Sequence, residues 1–227
     1  MLSKTIILSD TEHYLAVSKP SGLLSQASKN EGEAHLIDQL DPRLYKNLHL
    51  LTRIDRPVSG LCLLSKSKSF SKHYLNLQSM GKVNKSYLAL VEKKLILNNE
   101  TIRHLGLHDK KRHKTHITKN TDHKDKMSLV SQMNTLLVLD NYSLISVSIT
   151  AGKFHQIRAQ LSALGHPIKG DVKYGARRKN KDRSIHLHSA AINFENIDGQ
   201  AVEITAGLPK NDDLWSLIHE KMINSNE

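Results

Sequence analysis

Asp55 stands between Arg53 and Arg56 in the stretch Leu50-Leu51-Thr52-Arg53-Ile54-Asp55-Arg56-Pro57-Val58-Ser59-Gly60. Neighbouring cations favour the charged form of a carboxylate. A short acid on a turn that feeds an apolar run reads as a positioned anion, available as nucleophile or general base. Taken alone, the same residues are equally well a surface salt-bridge cluster. Two later blocks favour the chemical reading. Lys85-Ser86-Tyr87-Leu88-Ala89-Leu90-Val91 brings Tyr87, and Gly152-Lys153-Phe154-His155-Gln156-Ile157-Arg158 brings Arg158. The second block runs on through Gly165-His166-Pro167-Ile168 and Gly170-Asp171 to Tyr174-Gly175. Without company, Tyr87 would be a core strand residue and Arg158 a helix-surface cation.

The elements that must hold these residues follow from periodicity and punctuation. Tyr14 to Ser18 reads as a strand broken by Lys19-Pro20-Ser21-Gly22. Residues 33 to 40 suit a short helix ending before Asp41-Pro42. Leu61 to Ser65 is a buried strand. Ser69 to Met80 is a helix with Phe70, Tyr74, Leu75 and Leu77 on one side and Gly81 as its stop. Lys85 to Glu92 is a strand covered on both faces, with Tyr87 and Ala89 pointing the same way. Met127 to Leu139 and Tyr142 to Thr150 form a hairpin around Asp140-Asn141. Gly152 to Phe154 is a turn, and Gln156 to Leu164 a helix closed by Gly165. Ala201 to Thr205 is a late strand, and Leu214 to Ile223 a final helix. Strands mixed with helices and hairpins, without strict alternation, argue for an α+β fold.

The blocks around Asp55, Tyr87 and Arg158, in this order, resemble the RluA-type family of RNA pseudouridine synthases. The family pattern reads roughly His-Arg-Leu-Asp-x-x-Thr-Ser-Gly, then Lys-x-Tyr-x-Ala-x-Val, then Gly-Arg-x-His-Gln-Ile-Arg and Gly-His-Pro-Ile-x-Gly-Asp. Weaker similarity reaches Val17-Ser18-Lys19-Pro20-Ser21-Gly22 and Leu187-His188-Ser189-Ala190, so the resemblance spans residues 10 to 210. It implies one catalytic domain over residues 1–227, with no N-terminal S4 domain. The implied architecture is a mixed, largely antiparallel sheet with flanking helices and a central RNA-binding cleft. The implied reaction isomerises uridine to pseudouridine in a tRNA or rRNA stem-loop. Asp55 is then the essential carboxylate, attacking sugar or base or removing a proton. Tyr87 stacks on the base and relays a proton, and Arg158 pairs with Asp55. Arg53, Arg56, Lys85, His155 and Gln156 become substrate contacts, with His155 and Gln156 alternatively ordering their loop. The helix start at Gln156 and Arg158 equally suits a phosphate. The chain departs from the pattern where Thr52 replaces histidine, Pro57-Val58 an acidic-threonine pair, and Lys153-Phe154 arginine-threonine.

Bulk properties agree. The chain has 227 residues, a net charge of +11 and a pI near 9.6, so an anionic partner is expected, RNA above all. Long apolar runs and a signal-peptide core are absent from the sequence, and Cys62 is a lone cysteine. A cytoplasmic monomer, without membrane, metal or cofactor, is expected. No phosphate-cradling loop or dinucleotide fingerprint is present. With aromatics at 4%, base stacking falls to a few rings such as Tyr87, Phe154 and Tyr174.

Residues 108–126 are basic and histidine-rich, from His108-Asp109-Lys110-Lys111-Arg112-His113-Lys114-Thr115-His116 onward. They suit a solvated loop or exposed ribbon, or an RNA backbone contact. Two other functions compete with the enzyme: an RNA-binding protein that keeps the fold without the chemistry, and a metal-dependent hydrolase built on His113 and His116. A pure binder has no reason to keep Asp55, Tyr87 and Arg158 together. The two histidines lack acidic or cysteine ligands at suitable spacing.

Overall fold

The computed structural model describes residues 5–28, 32–209 and 212–224. In chain order the strands are β1 (Ile6–Asp10), β2 (Tyr14–Lys19), β3 (His49–Leu50), β4 (Ser59–Ser65), β5 (Asn84–Glu92), β6 (Glu100–Asp109), β7 (Lys114–Thr118), β8 (Met127–Val138), β9 (Tyr142–Ile149), β10 (Leu187–Glu195) and β11 (Ala201–Thr205). Among the described residues three α-helices accompany them: α1 (Lys68–Ser79), α2 (Gln156–Ala163) and α3 (Asp213–Asn224). The fold is α+β, with a mixed sheet system and few helices. None of the described helices is long and apolar enough to cross a membrane.

The chain divides into two compact units. The first comprises Met1–Asn76 with His188–Glu227, the second Leu77–Leu187. In the first, β2 lies antiparallel to both β1 and β4. β4 is a run of seven residues, all buried after Ser59, as a strand covered on both faces requires. Its C-terminal end pairs with β3, and its N-terminal end pairs parallel to β10 through His188↔Ser59 and Ser189↔Gly60. β11 folds back antiparallel onto β10. Tyr14 and Phe70 pack at 5.4 Å between ring centroids, and the edge of Phe194 meets Tyr14, Phe70 and Tyr74. This aromatic knot seats α1 on the sheet. α1 ends where expected: Gly81, at φ +70, returns its N–H to Gln78.

In the second unit the order is β5-β9-β8-β6-β7, each pair antiparallel. Tyr87, Ala89 and Val91 line one buried side of β5, which pairs with β9 over its full length from Lys85↔Ile149 to Glu92↔Tyr142. The basic segment from His108 is a ribbon rather than a loop at its start. β6 and β7 run antiparallel, with an exposed turn of Lys110, Lys111, Arg112 and His113. Asp109 fastens that turn by accepting the Arg112 backbone N–H at 2.9 Å. Residues 33 to 40, expected as a short helix, form a single 3-10 turn at Leu36–Gln39. Among the described residues, five strands go beyond those expected: β1, β3, β6, β7 and β10.

Two close contacts fix β4 beside β10. A Cβ added at Gly60, where φ is +111, would lie 2.2 Å from the Ser189 carbonyl oxygen. The imidazole of His188 is buried between Ser59 and Ala206. Its Nε2 donates to the Ala206 carbonyl at 3.4 Å, so Nδ1 accepts from the Ser59 hydroxyl at 2.9 Å. Burial pushes the His188 pKa down to about 4.

Gly60→Ala should therefore prevent soluble folding or lower the thermal midpoint far more than Gly199→Ala. Gly199 is also left-handed, at φ +76, but nothing lies within 4 Å of its added Cβ. Its alanine variant bears only the left-handed strain of about 1–2 kcal/mol. Matching midpoints would show that the β4–β10 approach is not tight. His188 makes a separate prediction. Between its ordinary value near 6.5 and about 4, the unfolded chain binds a proton that the folded chain refuses. Stability is therefore full above that window and falls as pH drops through it, by about 3 kcal/mol in all. Urea midpoints at neutral and mildly acid pH check this, with His188→Gln expected to flatten the difference.

Candidate active site

Asp55 lies at the start of a tight turn, half-buried, with its carbonyl accepting the Val58 N–H at 3.0 Å. The residues on either side of the turn are clamped. Ahead of Asp55, the Ser25 hydroxyl donates to the Ile54 carbonyl at 2.7 Å and accepts the Ile54 N–H at 3.2 Å. Behind it, the Lys19 ammonium donates to the Val58 carbonyl at 2.8 Å. The same Nζ donates to the carbonyls of Leu23 at 2.8 Å and Pro20 at 2.9 Å. Lys19 is fully buried. One cation thus joins the turn after β2 to the turn that carries Asp55. Burial draws its pKa down to about 8, opposed by the field of Asp55, which favours the cation. Cys62, also buried, is pushed up to about 11 by desolvation.

The flanking arginines are exposed. Arg53 donates to the Gln26 side chain at 3.1 Å. Arg56 donates through Nε to the Gly22 carbonyl at 3.0 Å and pairs with Glu33 at 2.7 Å. In return its own carbonyl accepts the Gly22 N–H at 2.7 Å. Thr52, where the family has histidine, is buried and accepts the Leu63 N–H at 2.8 Å. The departure from the pattern is therefore absorbed into the β4 scaffold.

In the second unit, Arg158 sits in the first turn of α2 with only 5% of its surface exposed. Its guanidinium forks onto Asp171, with Nε to Oδ2 at 2.6 Å and one terminal nitrogen to Oδ1 at 2.8 Å. Asp171 is itself 2% exposed. The other terminal nitrogen lies 2.9 Å from His155 Nε2. Arginine only donates, so Nε2 accepts and the ring hydrogen is on Nδ1, 3.0 Å from the Tyr174 hydroxyl. Tyr174 also lies under the guanidinium, 4.9 Å from ring centroid to Cζ. His155 takes a left-handed backbone, at φ +51, immediately before α2. The sequence places Asp171 in a Gly-Asp turn without a partner. Its role as the anchor of Arg158 is visible only once α2 and the turn are folded together.

Gln156 is buried, and both ends of its amide are used. Oε1 accepts the Lys153 N–H at 3.2 Å and Nε2 donates to the Val130 carbonyl at 2.9 Å. These bonds order the loop before α2. Tyr174, grouped by composition with the stacking rings, is 3% exposed, so its role is internal. Tyr87 is 8% exposed on β5, opposite Val147 on β9. Lys85 is buried two residues earlier, beside Gly152, and desolvation draws its pKa down to about 8. In the first unit, a carboxylate on a pinned turn has the chemistry of a nucleophile or general base; in the second, a forked, buried arginine has that of an oriented, permanent cation.

Comparison with known proteins bears on the family of the whole chain. The sequence pattern of the RNA pseudouridylate synthase family matches residues 13–163. The chain is 28% identical over 194 residues to the Bacillus subtilis (strain 168) uncharacterized RNA pseudouridine synthase YjbO, covering 83% of this chain and 66% of that protein. It is 30% identical over 219 residues to ribosomal large subunit pseudouridine synthase C of Buchnera aphidicola subsp. Schizaphis graminum, covering 89% of this chain and 67% of that one. It thus spans about two thirds of the length of both relatives. In fold it is similar to human RNA pseudouridylate synthase domain containing 4, with a TM-score of 0.78 at 21% identity over 95% of this chain and 93% of that one. A family pattern that takes in both the Asp55 turn and the Tyr87 and Arg158 elements places this chain in the RluA-type RNA pseudouridylate synthase family.

Proposed function

We propose that this chain isomerises uridine to pseudouridine in structured RNA, with Asp55 as the essential carboxylate. The observation that carries the reading is the Asp55 turn, clamped on one side by Ser25 and on the other by Lys19 while arginines flank the acid. A carboxylate that attacks or abstracts needs a fixed position, because proximity is worth several orders of magnitude in rate. The reaction breaks the bond from uracil N1 to ribose C1′ and forms one from C5 to the same carbon. C5 loses its hydrogen and N1 gains one, so atoms balance within the substrate. No electrons leave, so the step itself calls for no oxidant or reductant.

Tyr87 is proposed to stack on the uracil and relay a proton. Arg158, immobilised by Asp171 and His155, is proposed as the fixed guanidinium of the reaction. Arg53 and Arg56, both exposed, are proposed to hold the RNA backbone beside the target. The uridine must leave its stack to be reached, so an unpaired loop of a tRNA or rRNA is the favoured substrate.

Asp55→Asn is the primary test. The amide is nearly isosteric but a poor nucleophile and base. Release of tritium from RNA labelled at uracil C5 should fall to background while RNA affinity and thermal midpoint hold. Turnover within tenfold of wild type would remove Asp55 from the chemistry. Mapping pseudouridine in RNA from cells with and without the gene then identifies the position.

Arg158→Lys tests the second role. Lysine keeps the charge but cannot fork onto Asp171. Turnover of bound RNA should drop at least about tenfold, since small misplacements of a reacting group are costly, with affinity within about twofold. If affinity falls and turnover of bound RNA holds, Arg158 is a phosphate contact.

A further inference from the structure

The chain has three phenylalanines. Phe70 and Phe194 are buried in the first unit, at 0% and 4% exposure, whereas Phe154 is 38% exposed. Phe154 stands at the position where the family pattern has threonine. Its ring is the middle layer of a short stack. His155 lies on one side, at 3.9 Å between centroids and 16° between planes. His108 lies on the other, at 4.4 Å and 33°. His155 is backed by the edge of Tyr174, at 5.6 Å and 74°. His108, on β6, is exposed, so the stack ends toward solvent on an imidazole.

The stack is held rigidly. Thr115 on β7 donates its hydroxyl to the Phe154 carbonyl at 2.6 Å. The same residue donates its backbone N–H to the Tyr174 hydroxyl at 2.8 Å. The first bond ties the β6–β7 ribbon to the loop that carries Phe154, and the second ties it to the turn that carries Tyr174. Lys114 also reaches over the Tyr174 ring, at 4.8 Å from its centroid. Immediately beyond His108 come the exposed Lys110, Lys111 and Arg112 of the ribbon turn. An exposed ring next to a cluster of cations is the pairing that single-stranded nucleic acid uses, bases on rings and phosphates on charges.

We propose that His108, Phe154 and His155 form a stacking platform for one unpaired base of the RNA. That base lies flat on the outer face of His108, and its neighbouring phosphates meet the Lys110, Lys111 and Arg112 turn. The proposal deepens the pseudouridine synthase reading, since the base would belong to the same loop as the target uridine. Any base presents a flat face, so the platform selects for an unpaired nucleotide rather than for its identity.

The test uses the full chain and a short single-stranded oligouridylate carrying one 2-aminopurine, whose fluorescence is quenched on stacking. Wild type should bind and quench it. His108→Ala and Phe154→Leu should weaken binding by about tenfold, within the range that base stacking supports, and abolish quenching in the bound state. His108→Phe should restore both, because it keeps a ring and removes the titratable nitrogens. Replacing Lys110 and Lys111 with glutamine should weaken binding and flatten its salt dependence while quenching at saturation persists. The proposal is overturned if His108→Ala and Phe154→Leu bind and quench as wild type does. It is equally overturned if His108→Phe behaves like His108→Ala, which would make His108 a charge contact. Tritium release from C5-labelled RNA by wild type is measured in parallel. Its absence would reject the enzymatic reading and leave the quenching result to decide the platform alone.

Discussion

The fixed position of Asp55 depends on one buried ammonium. Lys19 has no exposed surface, and it spends its hydrogens on main-chain carbonyls from two separate turns. Moving an ammonium out of water carries a penalty of several kcal/mol even after relaxation. Carbonyl dipoles offset most of it, and the nearby Asp55 carboxylate adds a favourable field. The remainder shows in the pKa, which lies near 8 instead of 10.5. That difference corresponds to about 3 kcal/mol. Between those two values the unfolded chain holds a proton that the folded chain does not, so Lys19's own contribution to stability rises with pH there. The same deprotonation leaves one hydrogen fewer for the carbonyls. Stability and order of the Asp55 turn are therefore set against each other in alkaline solution. A methionine could fill the space, but it would strand three acceptors.

The second unit solves a similar problem with a carboxylate. Asp171 holds both faces of the Arg158 fork, and His155 and Tyr174 complete the surround. A buried ion pair of this kind adds little net stability compared with apolar side chains of the same volume. It supplies orientation. The bidentate geometry fixes the plane of the guanidinium, and the Nε2 acceptor of His155 fixes its rotation. His155 meets this demand by accepting a left-handed backbone, which a residue other than glycine adopts at some expense. Strain at that position is consistent with the ring having to face both Arg158 and Phe154.

Much of this was legible in the residues. The apolar run of β4, the alternation of β5, the β8–β9 hairpin around Asp140-Asn141 and the glycine stops of α1 and α2 all carry local signals that packing did not override. The strands that escaped notice lack such signals. β6 is polar through most of its length and half exposed, with Arg103, His104 and His108 among its side chains. β10 contains Ser189-Ala190-Ala191, residues with weak strand preference that fit there because Gly60 lets the backbones approach. For the candidate site, the resemblance singled out Asp55, Tyr87 and Arg158 as expectations, and gave no sign of what holds them. Lys19 looked like part of a Lys-Pro turn, and its burial is settled by carbonyls from residues far along the chain. Asp171 looked like a turn residue because its partner lies on another element. Partnerships across distant segments leave no periodic trace in a sequence.

Buried and exposed cations divide the work. Lys19, Lys85 and Arg158 are withdrawn from solvent, while Arg53, Arg56, Lys110, Lys111 and Arg112 are in it. The exposed group can lend affinity to an anionic polymer through counterion release, and each member contributes independently of fine geometry. The buried cations cannot act in that way, since screening and distance remove them from a polymer's counterion atmosphere. Their charges instead set the orientation of neighbouring groups, where a displacement of about an ångström matters. A net charge of +11 is thus not one property but two. Salt acts on the exposed set and leaves the buried set nearly untouched. Binding and catalysis in this chain should consequently respond to different variables, ionic strength for the first and the protonation or truncation of internal groups for the second.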